Sequence, residues 1–250
     1  MAVVLKFGGT SVGTFDAVSR TMEIIASRLP EHPVVCVSAL SKVTDLLYAI
    51  ADAASCGDTE GLEARMYELR SRHLKLVCSL FSADPEGCDR ASSKVNEICD
   101  TLAAVVSSVT ALGDVPDRIR AVIISHGELL SSTIICLALN SRGIRTGFVD
   151  ARTMIVTDSE YMCGEPQFDI INERVPEVVG EAFARGTAFI SDGKAADGRS
   201  NEVVITQGFI AANRQAAPRW SRSVFFQFPC PFSGASTWAR TRCACPGLTL

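Results

Sequence analysis

Val3-Val4-Leu5-Lys6-Phe7-Gly8-Gly9-Thr10-Ser11-Val12-Gly13 is the stretch to which the rest of the chain has to be fitted. An apolar run meets a lysine, then two adjacent glycines and two hydroxyl residues, and passes into a segment with helical spacing. A phosphate-holding strand–loop–helix needs that composition. Glycines let the backbone approach an anion closely, free amide N–H groups and a helix N-terminus supply partial positive charge, and Lys6 adds a full one. The spacing is neither a Walker loop nor Gly-x-Gly-x-x-Gly, because the glycines fall at 8, 9 and 13. On spacing alone, a tight strand-to-helix turn with an incidental lysine is the competing reading.

Immediately outward, Phe15, Val18, Met22, Ile25 and Leu29 recur at helical spacing, with Thr14 placed to cap the helix and Pro30 just past its end. Val34–Val37 is short and β-branched, which predicts a buried second strand. The hydroxyl-rich run Ser38 to Asp45 follows it and leads into a helix from Leu46. Open α/β sheets bind ligands at the carboxyl ends of their strands, so Ser38 and Thr44 are candidates; plain N-capping is the alternative for Thr44.

The middle of the chain reads as helical over 52–82, with a turn at Ala83–Gly87 and a long helix over Ala91–Leu112. His73, between Arg72 and Lys75, is expected on a solvated face. Two further helical stretches, Ile119–Ile124 and Leu129–Leu139, are joined by Ser125-His126-Gly127-Glu128. Glu128 then either favours a helix dipole or aims a carboxylate into a cleft to meet a substrate ammonium group. His126 suits packing better than proton transfer. Thr146–Asp150 and Ala188–Ser191 read as short strands, with a helix over Ile170–Phe183 interrupted near Pro176. A surface loop over Asp192–Asn201 and a strand over Val203–Ile210 follow. Strands alternating with helices predict a mostly parallel sheet covered on both faces.

Composition narrows the function classes. The 250 residues are 47% hydrophobic but only 7% aromatic, so aliphatic side chains must fill the core. A net charge of −4 without a basic stripe argues against a nucleic-acid partner. Of the ten cysteines, seven are scattered from Cys36 to Cys163 with no Cys-x-x-Cys pair, several in apolar runs such as Ile134-Ile135-Cys136-Leu137. Free buried thiols fit that placement better than a metal or disulfide framework. No apolar run approaches a membrane span and no leader precedes the first strand, so a cytoplasmic location without a membrane partner is expected.

Five blocks taken in order resemble aspartate kinase, a member of the amino-acid kinase superfamily. They are Lys-Phe-Gly-Gly-Thr-Ser-Val at 6–12, Val-Ser-Ala-Leu-Ser-Lys-Val-Thr-Asp at 37–45, Ser-His-Gly-Glu-Leu-Leu-Ser at 125–131, Phe-Val-Asp-Ala-Arg at 148–152 and Ile-Thr-Gln-Gly-Phe-Ile at 205–210. The resemblance implies a three-layer α/β/α sandwich over residues 1–213, and transfer of the γ-phosphoryl group of ATP, with Mg²⁺, to the β-carboxylate of L-aspartate. It assigns Lys6, Phe7, Gly8 and Gly9 to the nucleotide phosphates, with Lys6 as the catalytic cation. Ser38 and Thr44 would hydrogen-bond the aspartate and Glu128 would bind its α-ammonium group; no side chain is assigned to a metal. Another amino-acid kinase, such as acetylglutamate or glutamate 5-kinase, is the alternative among enzymes. A non-catalytic nucleotide-binding fragment is the alternative outside them. The oligomeric state stays open, a homodimer included.

The resemblance stops near Asn213. The family's Gly-Arg-Gly-Gly-Ser-Asp block, whose arginine grips the substrate carboxylate, does not follow. Residues 214–250 instead carry both tryptophans, three cysteines and no Asp or Glu, an abrupt change after Glu202. This predicts a shifted reading frame near Arg214 or Gln215, an incomplete sheet, a disordered tail and weak or absent turnover. Translation of the underlying DNA in the other two frames tests it.

Overall fold

The computed structural model describes residues 3–184, 200–213 and 241–243. The expected strand at Ala188–Ser191, most of the Asp192–Asn201 loop and nearly all of the tail lie outside the described residues.

A parallel sheet forms the centre. Strands β1 (Val4–Phe7), β2 (Val34–Val37), β3 (Thr146–Phe148), β5 (Val203–Gln207) and β7 (Thr241–Cys243) are ordered β3-β5-β2-β1-β7, every pairing parallel. Two short strands, β4 (Val156–Thr157) and β6 (Ala212–Asn213), pair beside it. Strands β1, β2, β3 and β5 are buried almost throughout, as a sheet covered on both faces demands. Leu5, Phe7, Val35, Val37, Val203 and Ile205 enter the larger core, while Val204 enters a second core with Met154, Ile155, Ile171 and Ile210.

Helices α1 (Phe15–Ser27), α2 (Val43–Cys56), α3 (Thr59–Leu80), α4 (Pro85–Thr110) and α5 (Asp117–Ser141) contribute to the larger core. Helix α6 (Phe168–Ala184) packs against β3 and β5 with the second core. These are the three layers the sequence predicts. The Thr14 hydroxyl caps α1, accepting from the Ala17 N–H at 3.3 Å, as its position before the apolar stripe suggests. Helix α5 is long and apolar enough to cross a bilayer, but its most apolar window is 83% buried inside the fold, which makes it a core helix.

Three local readings are corrected. The expected turn at Ala83–Gly87 is shorter, because Asp84 caps α4 through the Gly87 N–H at 2.9 Å and Pro85 takes the first helical position. His73 is not solvated. It lies in the same helical stripe as Leu69, Leu76 and Val77, one turn beyond Leu69, and is fully buried, while Arg72 and Lys75 flank that stripe. Ser125–Glu128 is not a joint, since α5 runs through it without a break.

The seven cysteines from Cys36 to Cys163 form no disulfide with one another. Cys36, Cys99 and Cys136 are buried as expected, whereas Cys56, Cys78 and Cys163 are exposed and Cys88 is intermediate.

Candidate active site

Because the main strands are parallel, their carboxyl ends share one edge, and the residues just beyond them are neighbours. Lys6 is the last but one residue of β1 and the glycines follow it, Ser38 follows β2, Asp150 lies just past β3 and Gly208 follows β5.

The three glycines of the first loop divide two tasks between them. A methyl group on Gly9 would lie 3.0 Å from the Ala39 carbonyl oxygen, and one on Gly13 would lie 2.9 Å from the Ser41 Cβ. These two let the loop after β1 nest against the loop after β2. Gly8 has no heavy atom within 4 Å of the corresponding position, so its face is open to a ligand. Of the adjacent pair, Gly8 therefore offers close approach to an anion and Gly9 serves loop packing. Phe7 is in the core at 1% exposure, and its carbonyl accepts from the Ser38 N–H at 3.1 Å. Its ring has no face at the site.

Glu128 approaches the same edge from α5. It is buried, and its carboxylate accepts from the Ala39 N–H at 3.4 Å. One turn on, the Ser131 hydroxyl donates to the Ser38 carbonyl at 2.8 Å and the Ser132 hydroxyl to the Glu128 carbonyl at 2.6 Å. Gln207 at the end of β5 links the cluster to the next strand, donating to Ser132 Oγ at 3.2 Å and accepting from the Ala151 N–H at 2.8 Å. Burial pushes the Glu128 carboxyl up to about 7, more than its own amide and the Ala39 N–H hold it down. A carboxylate in mid-helix has no helix N-terminus to stabilise its charge, so the dipole reading of Glu128 falls with the corrected helix. What remains is a buried acid that a cation would complete.

Gly127 explains how Glu128 gets there. A Cβ at that position would lie 2.8 Å from the Ala39 Cβ, 3.1 Å from Leu47 Cδ1 and 3.2 Å from Val43 Cγ1. Glycine inside a helix costs about 1 kcal/mol relative to alanine, and overpacking a closed contact costs about 1–3 kcal/mol. The packing term wins. Gly127→Ala is expected to lower stability by up to about 2 kcal/mol despite its better helix propensity, measured by urea denaturation.

Thr44 sits half-buried in the first turn of α2 and does not cap it; the N-cap position is Lys42, in the left-handed region at φ 66°, and no side chain caps the helix. His126 is buried, its Nδ1 2.8 Å from the Val122 carbonyl, and burial above all, with the Arg152 charge adding to it, lowers it to about 4. It is a packing residue, as its sequence context suggested. Lys6 Nζ stands 4.8 Å from the centre of the Phe209 ring.

The model of the amino acid kinase family matches residues 1–219. This chain belongs to that family. Among its curated amino-acid kinase relatives, an aspartokinase of Chlamydia muridarum is 27% identical over 215 residues, covering 86% of this chain and 41% of the relative. The lysine-sensitive aspartokinase 3 of Escherichia coli is 28% identical over 216 residues, covering 85% and 41%. A chloroplastic bifunctional aspartokinase/homoserine dehydrogenase of Zea mays is 26% identical over 215 residues, covering 86% of this chain and 21% of the relative. The crystal structure of E. coli aspartokinase III in complex with lysine and aspartate superposes with a TM-score of 0.68 at 22% identity, covering 86% of this chain and 42% of that one. Its aspartate–ADP complex gives 0.67. The fold is thus an amino-acid kinase fold. The chain spans less than half the length of these relatives.

The sequence reading gave no role to Phe209, Gln207, Gly127 or Arg72, although the first three lie inside blocks it singled out. Arg72 donates to the Ser41 carbonyl at 2.6 Å, holding the loop after β2 against the glycine loop. Nothing in the periodicity of α3 marks that contact, which spans 31 residues of sequence.

Proposed function

We propose that this chain is the N-terminal part of an aspartate kinase catalytic domain, which transfers the γ-phosphoryl group of ATP to the β-carboxylate of L-aspartate. The observation that carries the reading is the pairing of an open Gly8 face beside Lys6 with a buried Glu128, tied through Ala39 and Ser131 to the backbone around Ser38. One end of that edge suits an anion and the other a cation. An α-amino acid with a side-chain carboxylate presents both.

The chemistry asks little of side chains. The acceptor carboxylate, with a reference pKa of about 3.9, is ionised at neutral pH and needs no general base. The protein must position the acceptor in line and stabilise the charge that builds on the phosphoryl oxygens. Lys6 and the Gly8 backbone do the second task in this reading. Glu128 fixes the α-ammonium group, with Ser38 and Thr44 as hydrogen-bonding partners of the amino acid. Among the described residues no three His, Cys, Asp or Glu side chains converge on a point. Mg²⁺ carried on the nucleotide phosphates would supply neutralising charge beside Lys6 and the Gly8 backbone.

The test is ATP-dependent formation of aspartyl phosphate, trapped as the hydroxamate, together with calorimetric binding of MgATP and of L-aspartate to the purified chain. Saturable binding of both, with slow hydroxamate formation, is expected. Absence of L-aspartate binding sinks the assignment. Nucleotide binding with no hydroxamate at all points to the second reading, a nucleotide-binding fragment, which is favoured by the lack of a Gly-Arg-Gly-Gly-Ser-Asp string after Asn213.

A further inference from the structure

Phe209 is one of three non-glycine residues in the left-handed region, at φ 59°, among the described residues. For an aromatic side chain that conformation is strained, and it persists only where the surroundings fix it. Here they do. The Gly208 N–H donates to the Val37 carbonyl at 2.9 Å, and a Cβ on Gly208 would meet Cys36 Sγ at 3.3 Å, so the end of β5 is pressed against β2. On the other side Ile210 is buried in the second core. The kink between these anchors carries the ring across the end of β2. Lys6, Cys36 and Thr206 are register partners on β1, β2 and β5, so Phe209 reaches a lysine two strands away.

The contact is unlike an ion pair in one respect that matters for an anion site. A carboxylate placed against Lys6 would fix the ammonium group but cancel its charge. A ring face attracts the cation through its quadrupole and leaves the net charge whole. Among the described residues Lys6 makes no ion pair, and its Nζ lies over this ring. We infer that Phe209 is a positioning residue, whose strained backbone holds an aromatic face against Lys6 so that the full positive charge is kept in place beside the Gly8 loop. The positioning rests on the geometry; its use for phosphate rests on the kinase reading.

The two parts separate experimentally. In chain labelled with ¹³C at lysine Cε, the Lys6 signal, identified by its loss in Lys6→Arg, is expected upfield of exposed lysines through the ring current. Phe209→Leu returns it to the exposed position and Phe209→Tyr keeps it. MgATP affinity, by calorimetry on the same chains, is expected to fall about five- to thirtyfold in Phe209→Leu, the upper part of the range a cation–π contact spans, and to change less than about twofold in Phe209→Tyr. Phe209→Gly, which removes ring and strain together, should weaken MgATP as Leu does. An unshifted Lys6 signal in the parent chain, or one that Phe209→Leu does not move, overturns the positioning. A signal that moves while MgATP affinity holds overturns the link to the anion. A shifted signal in a parent chain that binds no MgATP leaves the positioning standing and removes the kinase reading.

Discussion

Replacing Glu128 by glutamine is expected to make the chain more stable at pH 8 and unable to hold L-aspartate. The stability half follows from burial. With its carboxyl raised from 4.5 to about 7 in the folded state, Glu128 favours folding while protonated and opposes it once ionised. Stability from this group is therefore full below pH 4.5 and is lost as pH rises toward 7. A shift of that size corresponds to a loss on the order of 3 kcal/mol at pH 8. Glutamine keeps the shape and never ionises. Urea midpoints should accordingly show Glu128→Gln ahead of the parent by about 2–3 kcal/mol at pH 8, with most of the gap closed at pH 5. An equal gap at both pH values would show that the carboxylate carries no burden.

The binding half has the opposite sign. An ammonium group beside Glu128 supplies the charge that the apo site lacks and draws the carboxyl back to its ionised form. Truncating one member of a buried charge pair costs about 2–5 kcal/mol, so Glu128→Gln should weaken L-aspartate by about thirtyfold or more. The same coupling predicts that L-aspartate binding near pH 7 releases part of a proton, visible as a dependence of the calorimetric heat on the buffer's ionisation enthalpy. A buffer-independent heat with undiminished affinity in the variant would remove Glu128 from the site.

Acid unfolding is the second large effect. His73 and His126 are both buried, each with Nδ1 against a carbonyl one turn back in its helix, and burial lowers each from 6.5 to about 4. The folded state keeps them neutral while the unfolded chain protonates them. The stability tied to them is thus intact above pH 6.5 and drains as pH falls to 4, by roughly 3 kcal/mol each. Glu128 works against this, regaining a similar amount from pH 7 to 4.5. Two histidines against one glutamate leave a net loss of about 3 kcal/mol, a large part of the roughly 5–15 kcal/mol that holds a domain together. Unfolding midpoints followed from pH 7 to 4.5 should decline accordingly. His73→Leu should nearly flatten the decline, and Glu128→Gln should steepen it, since the opposing group is then absent. A His73→Leu chain that loses stability as steeply as the parent would show that His73 is not held neutral.

Burial of His73 was available in the sequence, since it falls one turn beyond Leu69 and one turn before Val77; two flanking cations drew the reading to solvent instead. Residues whose neighbours are local were legible in this way. The Thr14 cap, the β-branched run Val34–Val37 and the glycine-bearing first loop are each settled by interactions within a few residues. Local preference and burial period are written in the order of the amino acids.

The sequence by itself determined the alternation of strands and helices, the parallel sheet that follows from it and the edge where Lys6, Ser38 and Gly208 had to meet. Tertiary structure alone decided that α5 runs unbroken past Gly127, that Gly9 serves the neighbouring loop while Gly8 stays open, that Glu128 is buried near neutrality and that Phe209 lies against Lys6. The reason is reach. A helix break can be read from residues a few places apart, but the contact that makes a mid-helix glycine tolerable is with Ala39, and Glu128 meets its amide across 89 residues of chain.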